Sequence, residues 1–197
     1  MPPIVTAIRP RGGDRVEIHL DGVPWRTIPL GAAVEARLAP GLHLDRSRAC
    51  ELNVAIRRQA ALVAGVHALR HVTHTRKSLE RRLAERGVRD AERAHALSAL
   101  ERAGYVDDKR VATGRASELA RRGCGNAMIA ADLADRGVSD EHVSAAIAAL
   151  EPEDVRAAEI LARRGAGASV ARYLAARGFA DEVIEETVAG ISADAVG

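Results

Sequence analysis

The feature that most constrains the fold of this chain is an internal repeat. Three windows of equal length, 78–100, 128–150 and 169–191, align without gaps. The shared columns are Leu83, Leu133 and Leu174; Gly87, Gly137 and Gly178; Asp90, Asp140 and Asp181; Leu97, Ile147 and Val188; and Leu100, Leu150 and Ile191. A repeat of this length indicates units that bury their apolar faces against neighbouring copies. We therefore predict an elongated tandem array.

Each window has the pattern of two helices joined by a short turn. In the first window we predict a left-handed Gly87 just past the first helix, with Val88 folding back on Leu83 as in a Schellman cap. We predict that Asp90 caps the second helix and that Glu92 places negative charge in its first turn. The matching residues are Leu133, Gly137, Val138, Asp140 and Glu141, and Leu174, Gly178, Phe179, Asp181 and Glu182. The apolar stripes of the second helices are predicted at 94/97/100, 143/147/150 and 184/188/191.

A further helix is predicted before each window, which gives three three-helix repeats. The predicted spans are 53–71, 107–122 and 154–164. The predicted inward residues are Val111, Ala112, Ala116 and Leu119 in the second span, and Val155, Ala158 and Leu161 in the third. The repeats are assigned to 46–100, 101–150 and 151–192, with a tail over 193–197.

The segment 1–45 differs from the rest because its apolar residues occur in short β-like runs. The predicted strands are 4–8, 16–20 and 23–28, with an Asp21-Gly22 hairpin turn and Pro24 marking an edge strand. A short helix near 31–38 follows, and Asp45 is a candidate cap for the next helix. The predicted fold class is therefore mainly α, with a small N-terminal β-hairpin or sheet before the tandem three-helix repeats.

Composition supports a helical core made of aliphatic residues, since aromatic residues are only 2% of the chain. Charged residues are 28%, and no apolar run is long enough to span a membrane. No secretory signal is visible, and two cysteines make no disulfide framework. We therefore expect a cytoplasmic protein in which Cys50 and Cys124 are ordinary core residues.

No motif indicates catalysis or a cofactor. The Arg-Arg-Gly-x-Gly runs at 121–125 and 163–167 follow no strand, so they are interpreted as helix ends rather than dinucleotide fingerprints. His67, His71 and His74 have helical spacing, but no nearby cysteine or carboxylate completes a metal ligand set. We predict neither an enzyme nor a metal or cofactor site.

The basic residues are the candidates for binding a partner. The net charge is +5 over 51–100 and −4 over 151–197. The candidates are Arg76, Lys77, Arg81, Arg82, Arg86, Arg89, Arg121, Arg122, Arg163 and Arg164. They form either a solvated face or a discontinuous track for DNA phosphates or an acidic protein groove. The lack of interleaved aromatic residues argues against recognition of single strands by base stacking.

Two segments carry a resemblance to a known family. The run 104–112, Gly-Tyr-Val-Asp-Asp-Lys-Arg-Val-Ala, resembles the acidic signature of the RecX family of bacterial regulatory proteins, and 75–79 resembles the start of that family's first repeat. The resemblance covers roughly 50–192, with a weaker match over Ile4–Leu44. Val111 departs from the pattern, since the family usually has an aromatic residue there.

The resemblance implies a non-enzymatic modulator of the RecA recombinase, with roles in recombination, repair and the SOS response. It implies a protein that binds the RecA–DNA filament and represses strand exchange, ATP hydrolysis and coprotease activity by capping or destabilising the filament. We also expect the protein to be a monomer. Weak, sequence-independent DNA binding is a further expectation. A helical DNA-binding module or a repeat scaffold that acts without RecA stays open.

Within the signature run we assign structural roles. The ring of Tyr105 is predicted to pack between repeats. Asp107 or Asp108 is predicted to cap the helix that follows.

Overall fold

The computed structural model describes residues 1–70, 72–165 and 168–194, with side chains as far as Ala189. This part of the chain is mainly helical, with three strands and ten helices. The elements are β1 (Val5–Arg11), β2 (Arg15–Leu20), β3 (Val23–Pro29), α1 (Leu30–Glu35), α2 (Arg46–Leu69), α3 (Arg76–Glu85), α4 (Asp90–Arg102), α5 (Asp108–Arg121), α6 (Asn126–Asp135), α7 (Asp140–Ala148), α8 (Glu153–Arg164), α9 (Ala168–Ala176) and α10 (Asp181–Asp194).

The strands form one antiparallel sheet in the order β1-β2-β3, so β3 is an edge strand as predicted. The β2–β3 turn has positive φ at both Asp21 (49°) and Gly22 (85°), which a two-residue hairpin of type I′ requires. One face of the sheet packs Val16, Ile18 and Ile28 into a core with residues of α1 and α2.

The chain divides into two compact units. Unit 1 comprises Met1–Val72 and Leu79–Tyr105, and unit 2 comprises Thr73–Ser78 and Val106–Gly197. The boundary therefore falls twice near α3, whose first residues belong to unit 2 and whose remaining residues belong to unit 1.

The helices follow one another as three triplets, α2–α4, α5–α7 and α8–α10, as the repeat predicts. In each triplet the first helix packs against the third. The predicted Schellman caps are confirmed: φ is 76° at Gly87 and Gly137 and 77° at Gly178. The residue after each glycine donates its N–H to the carbonyl of the repeat leucine, at 3.1 Å for Val88 and Leu83.

The same cap occurs at two turns that we did not predict. Tyr105 donates to the carbonyl of Leu100 at 2.9 Å, and Cys124 donates to that of Leu119 at 3.1 Å. Both turns carry the same leucine-to-glycine spacing as the three aligned windows. That spacing was therefore a usable signal outside the windows.

Several local predictions were wrong. The aspartates do not cap the second helices: Asp90, Asp140 and Asp181 are their first helical residues and lie in the first turn. The cap positions precede them, and Ser139 accepts the N–H of His142 there at 3.4 Å. The prediction of acidic first turns at Glu92, Glu141 and Glu182 is confirmed.

Helix α2 begins at Arg46 rather than at residue 53, because Asp45 caps it by accepting the N–H of Arg48 at 2.8 Å. The prediction of Asp45 as a cap is therefore confirmed. The predicted end at His71, and the side chain of Ile191 in the third apolar stripe, lie outside the described residues.

Some predicted core residues are on the surface. Val155 is 42% exposed and Ala158 is exposed, because α8 turns Arg156, Ala157 and Ile160 inward instead. Leu161, the third residue predicted to face inward from α8, is buried. Ala94 is exposed because α4 buries the neighbouring Ala96 and Leu97. Val111 is half-buried and Cys50 is exposed, whereas Cys124 is buried as predicted.

Tyr105 does not pack between repeats, since its side chain is 60% exposed. The Schellman turn at Gly104 leaves Tyr105 outside and brings the next residue, Val106, into the core at 5% exposure. No helix in the described part of the chain is both long and apolar enough to cross a membrane.

Candidate functional site

Four of the predicted basic residues meet in one cleft of unit 2, which we call the arginine cleft. Helix α5 ends with Arg121 and its cap Arg122, and α8 ends with Arg163 and Arg164. Both pairs line a cleft of about 610 Å³. Its apolar walls and its aromatic side come from Ala120, Ala149, Leu150, Ile160 and Tyr173.

The four predicted arginines of this cleft are exposed, and their side chains make only weak contacts within the protein. Arg164 lies over the ring of Tyr173, with 3.9 Å from its Cζ to the ring centroid. Arg163 pairs with Glu159 at 3.2 Å, and both side chains are more than half exposed. Arg122 lies 3.5 Å from Glu118 and is 63% exposed. Exposed pairs of this kind contribute less than about 1 kcal/mol, so these arginines remain available to an anionic partner.

Arg156 also lines the cleft, and the sequence analysis missed it. It is 7% exposed. Its Nη1 donates to the carbonyl of Cys124 at 2.8 Å, its Nε donates to that of Glu151 at 3.0 Å, and its Nη2 donates to Oδ1 of Asn126. Burial lowers the pKa of the Arg156 guanidinium, and the charges of Glu153 and Glu151 oppose that shift.

Through these three hydrogen bonds, Arg156 connects the α5–α6 loop to the start of α8. Its Cζ also lies 5.8 Å from the ring centroid of Phe179. The sequence gives one signal for this buried role, which is the position of Arg156 in its helix. Arg156 lies three residues after the first residue of α8, and the equivalent position of α5 is the apolar Val111. A charged residue in a column otherwise occupied by an apolar one indicates a buried polar role.

A second group of predicted residues follows α3 in unit 1. Arg81 and Arg82 are exposed on α3, whose buried residues Leu79 and Leu83 are fully covered. Arg86 is exposed, with its Nη1 3.4 Å from the carbonyl of Ala64. Arg89 is exposed at the cap position of α4. We call these four residues, Arg81, Arg82, Arg86 and Arg89, the α3 basic run.

The structure gives the other two candidates, Arg76 and Lys77, a role in packing within unit 2. The backbone N–H of Arg76 donates to Oδ1 of Asp108 at 2.7 Å, and the Arg76 side chain is half-buried. The aliphatic part of Lys77 lies against Gly137 so closely that a Cβ on that glycine would overlap it. Arg76 is therefore partly covered, whereas Lys77 remains exposed. Both belong to unit 2, whereas the α3 basic run belongs to unit 1.

Acidic residues at the start of one triplet cap the middle helix of the triplet before it. Asp108, the first residue of α5, accepts from the first N–H of α3. Glu153, the first residue of α8, accepts from Asn126, the first residue of α6. Of the two residues predicted to cap α5, Asp107 has that role, accepting from the N–H of Arg110 at 2.9 Å.

The middle helices also meet end to end within unit 2. The N–H groups of Gly125 and Ala127, at the start of α6, donate to the carbonyls of Arg177 and Gly178 at 2.8 and 3.1 Å. In the same way the hydroxyl of Thr75, before α3, donates to the carbonyl of Arg136, after α6, at 2.6 Å. Free donors at one helix start thus satisfy free acceptors at another helix end.

Among the residues that the structure describes, no group of three or more His, Cys, Asp or Glu side chains is placed to hold a metal ion. His74 lies 3.0 Å from the hydroxyl of Ser78, between Nδ1 and Oγ. His67 is exposed, and His71 is outside the described residues.

Comparison with known proteins gives one consistent relationship. No protein-family model matches the chain. The regulatory protein RecX of Stenotrophomonas maltophilia is 35% identical over 78 residues, and that of Xanthomonas axonopodis pv. citri is 37% identical over 78 residues. Each match covers 40% of this chain and 48% of the relative, so the chain spans about half the length of the curated relatives it matches.

Two solved structures share the fold. A crystal structure of a regulatory protein RecX superposes with a TM-score of 0.81 at 18% identity, covering 93% of this chain and 97% of that one. RecX from Lactobacillus salivarius superposes with a TM-score of 0.61 at 17% identity, covering 69% of this chain and 97% of that one. The chain is therefore similar in sequence to RecX regulatory proteins over part of its length, and it shares the fold of solved RecX structures over most of its length.

Proposed function

We propose that this protein regulates the RecA recombinase by binding the RecA–DNA filament. The observation that carries the proposal is the fold, which follows a regulatory protein RecX over 93% of the chain. The resemblance of the 104–112 run supports the same conclusion, because it implies RecA as the partner. We further propose that the protein acts as a monomer and inhibits strand exchange, ATP hydrolysis and coprotease activity by capping or destabilising the filament.

The arginine cleft and the α3 basic run are the surfaces we assign to the filament. Both present guanidinium groups without strong competing ion pairs, and arginine forks bind carboxylates and phosphates in two-point geometry. The apolar walls of the arginine cleft, including Leu150 and Ile160, suit a protein surface in which acidic residues alternate with apolar ones. The cleft therefore favours a protein contact over a bare phosphate backbone.

The test is the single-stranded-DNA-dependent ATPase rate of the cognate RecA, with this protein titrated in. We expect the rate to fall at well below one molecule per RecA protomer, because a capped or destabilised filament loses many protomers for each bound inhibitor. No effect at equimolar protein and moderate salt would refute the proposal. It would favour a DNA-binding module or a scaffold that acts without RecA.

Charge-reversal variants map the contact surface. We expect the double variants R81E/R82E and R121E/R122E each to raise the inhibitory concentration and to weaken its dependence on salt. The control is R102E/R172E, which makes the same change of charge at two exposed arginines outside both surfaces. If the control loses as much inhibition as the other two variants, net charge rather than either surface explains the binding.

A further inference from the structure

The second half of helix α2 is more apolar than the surface helices of this chain. Between Ala60 and Leu69 the sequence has one polar side chain, that of His67, although charged residues are 28% of the whole chain. A helix with apolar residues on one face needs one packing partner, whereas apolar residues on two faces require two. The composition of this segment therefore indicates a helix that is covered on two sides.

Helix α4 covers one of these two faces. Ala61, Gly65 and Ala68 are buried, and this part of the helix packs on α4. The approach is closest at Gly65, where an added Cβ would lie 2.7 Å from Cδ1 of Leu100. Both helices belong to unit 1, so this contact is internal to that unit.

The other apolar face is exposed. We call it the α2 apolar stripe, and its members are Leu62, Val63, Val66 and Leu69. The steps from 62 to 66, from 63 to 66 and from 66 to 69 are three or four residues, so the four side chains lie on one side of the helix. Val63 is 66% exposed, Val66 is 37% exposed, and the two leucines are half-buried. Single exposed valines are ordinary, but a row of apolar side chains on one helix face is the pattern of a contact surface.

Helix α1 covers this side of α2 only as far as the turn before the stripe. A Cβ on Gly31, near the start of α1, would lie 2.8 Å from Nε2 of Gln59. At the other end of α1, Ala36 lines a cleft together with Val54 and Ala55 of α2. Helix α1 therefore extends from Gln59 towards the start of α2 and leaves the stripe accessible.

The charges beside the stripe are positive. Arg70 is exposed and follows Leu69 directly. Arg86 reaches α2 from the turn after α3, with its Nη1 3.4 Å from the carbonyl of Ala64. Because Arg86 belongs to the α3 basic run, the stripe adjoins a surface that we assign to the filament. A partner that fits here has apolar side chains with carboxylates beside them.

We propose that the α2 apolar stripe docks on the RecA protein of the filament, against a segment whose apolar side chains are flanked by carboxylates. This inference rests on the proposed function, and it adds an apolar anchor to the α3 basic run. Apolar side chains gain nothing from a phosphate backbone, whereas burial between two proteins removes them from water. The stripe therefore selects protein rather than DNA, and Arg70 and Arg86 orient the partner by pairing with its carboxylates.

The test replaces the two most exposed valines of the stripe in the full chain. V63S/V66S removes apolar area without a change of charge, and serine and valine have similar helix propensities. We expect this variant to raise the concentration that halves the RecA ATPase rate by about tenfold or more, because the central apolar residues of an interface carry most of its affinity. V63I/V66I keeps apolar side chains at both positions and should retain inhibition.

The matched control is V23S/V155S, which makes the same change at valines that are 65% and 42% exposed on β3 and α8. It should inhibit like the unaltered protein, since neither valine lies on a surface assigned to the filament. Salt separates the two kinds of contact. The loss in V63S/V66S should be the same at low and at moderate salt, whereas the loss in R70E should shrink as salt rises.

A fluorescent label reports the contact directly. Val66→Cys is combined with Cys50→Ser, because Cys50 is exposed and Cys124 is buried, and an environment-sensitive dye is attached to the new thiol. We expect a blue shift of the emission when RecA filament assembled on oligothymidine is added, and no shift with oligothymidine alone. The same dye attached at Val23→Cys should not respond.

Distinct results would overturn this inference and the proposed function. If the unaltered protein inhibits RecA and V63S/V66S inhibits equally well, the inference fails and the proposed function stands. An equal loss of inhibition in V23S/V155S would also overturn it. A blue shift with oligothymidine alone, or one that grows with protein concentration in the absence of RecA, would place DNA or a second copy on the stripe instead. If the unaltered protein does not inhibit RecA, the proposed function fails, and the absence of a dye response to the filament would then refute the docking as well.

Discussion

Replacing Arg156 by methionine tests how the arginine cleft is held together. Methionine keeps a long side chain but removes all three donors, so the carbonyls of Cys124 and Glu151 and Oδ1 of Asn126 lose their partners. Glu151 is exposed, and its carbonyl can turn to water. Cys124 is 3% exposed, and its carbonyl has no such alternative.

The size of the effect follows from these acceptors. A buried acceptor left without a donor costs about 1–3 kcal/mol, and a hydrogen bond from a charged group contributes about 1.5–3 kcal/mol. With one fully buried and one half-buried acceptor affected, we expect a loss of about 3 kcal/mol. At about 2–4 °C per kcal/mol for a chain of this size, the melting temperature should fall by about 6–12 °C.

Calorimetry of the full chain measures the shift, and hydrogen exchange locates it. Amides of α6 and α8 should exchange faster in Arg156→Met, because both helices start beside the lost hydrogen bonds. Arg172→Met is the control, since Arg172 is exposed and bonds only within its own helix. An unchanged melting temperature in Arg156→Met, or an equal shift in the control, would refute the role we give to Arg156.

Three further predictions concern the other contacts of unit 2 and its turns. Asp108→Ala should lower the free energy of unfolding by about 1 kcal/mol and speed amide hydrogen exchange at the start of α3. Asp107→Ala should have the same effects at the start of α5. A reversed pattern of hydrogen exchange would contradict the caps we describe. Gly178→Ala should cost more than Gly87→Ala, measured by denaturant melts: both have positive φ, but only at Gly178 would the new Cβ meet backbone, 2.6 Å from the nitrogen of Met128. Hydrogen bonding from Arg115 lowers the pKa of Asp132 to about 2. The ionised carboxylate therefore stabilises the fold above its unfolded pKa near 4, and this stabilisation is lost as the pH falls towards 2. In Asp132→Asn, this part of the acid unfolding transition should disappear.

Local structure was predictable where one residue type has one dominant conformation. In each of the three windows, the glycine after the first helix predicts a left-handed turn, because few other residues tolerate a positive φ. All three windows form this turn. The hairpin at Asp21-Gly22 follows for the same reason. Helix starts were less predictable. Asp90 was predicted to cap α4, but Arg89 holds the cap position and no side chain accepts a capping hydrogen bond there.

Contacts between triplets were not predictable from the sequence pattern. Asp107 and Asp108 are chemically identical neighbours, yet one caps its own helix and the other caps a helix about thirty residues earlier. Only the position of the first residue of α3 next to Asp108 distinguishes them. The inward turn of Arg156 is a similar case, because its acceptors are carbonyls, which a sequence does not single out.

The three repeat glycines show why a repeated motif need not have a repeated neighbour. Gly87, Gly137 and Gly178 form the same turn with nearly the same φ. A Cβ on Gly137 would overlap Lys77, and one on Gly178 would meet Met128, whereas one on Gly87 would find no atom within 4 Å. The turn accounts for glycine at all three positions, but close packing adds a second requirement at only two. A substitution at Gly87 therefore measures the conformational cost alone, and the excess cost at the other two measures the packing of one middle helix on the next.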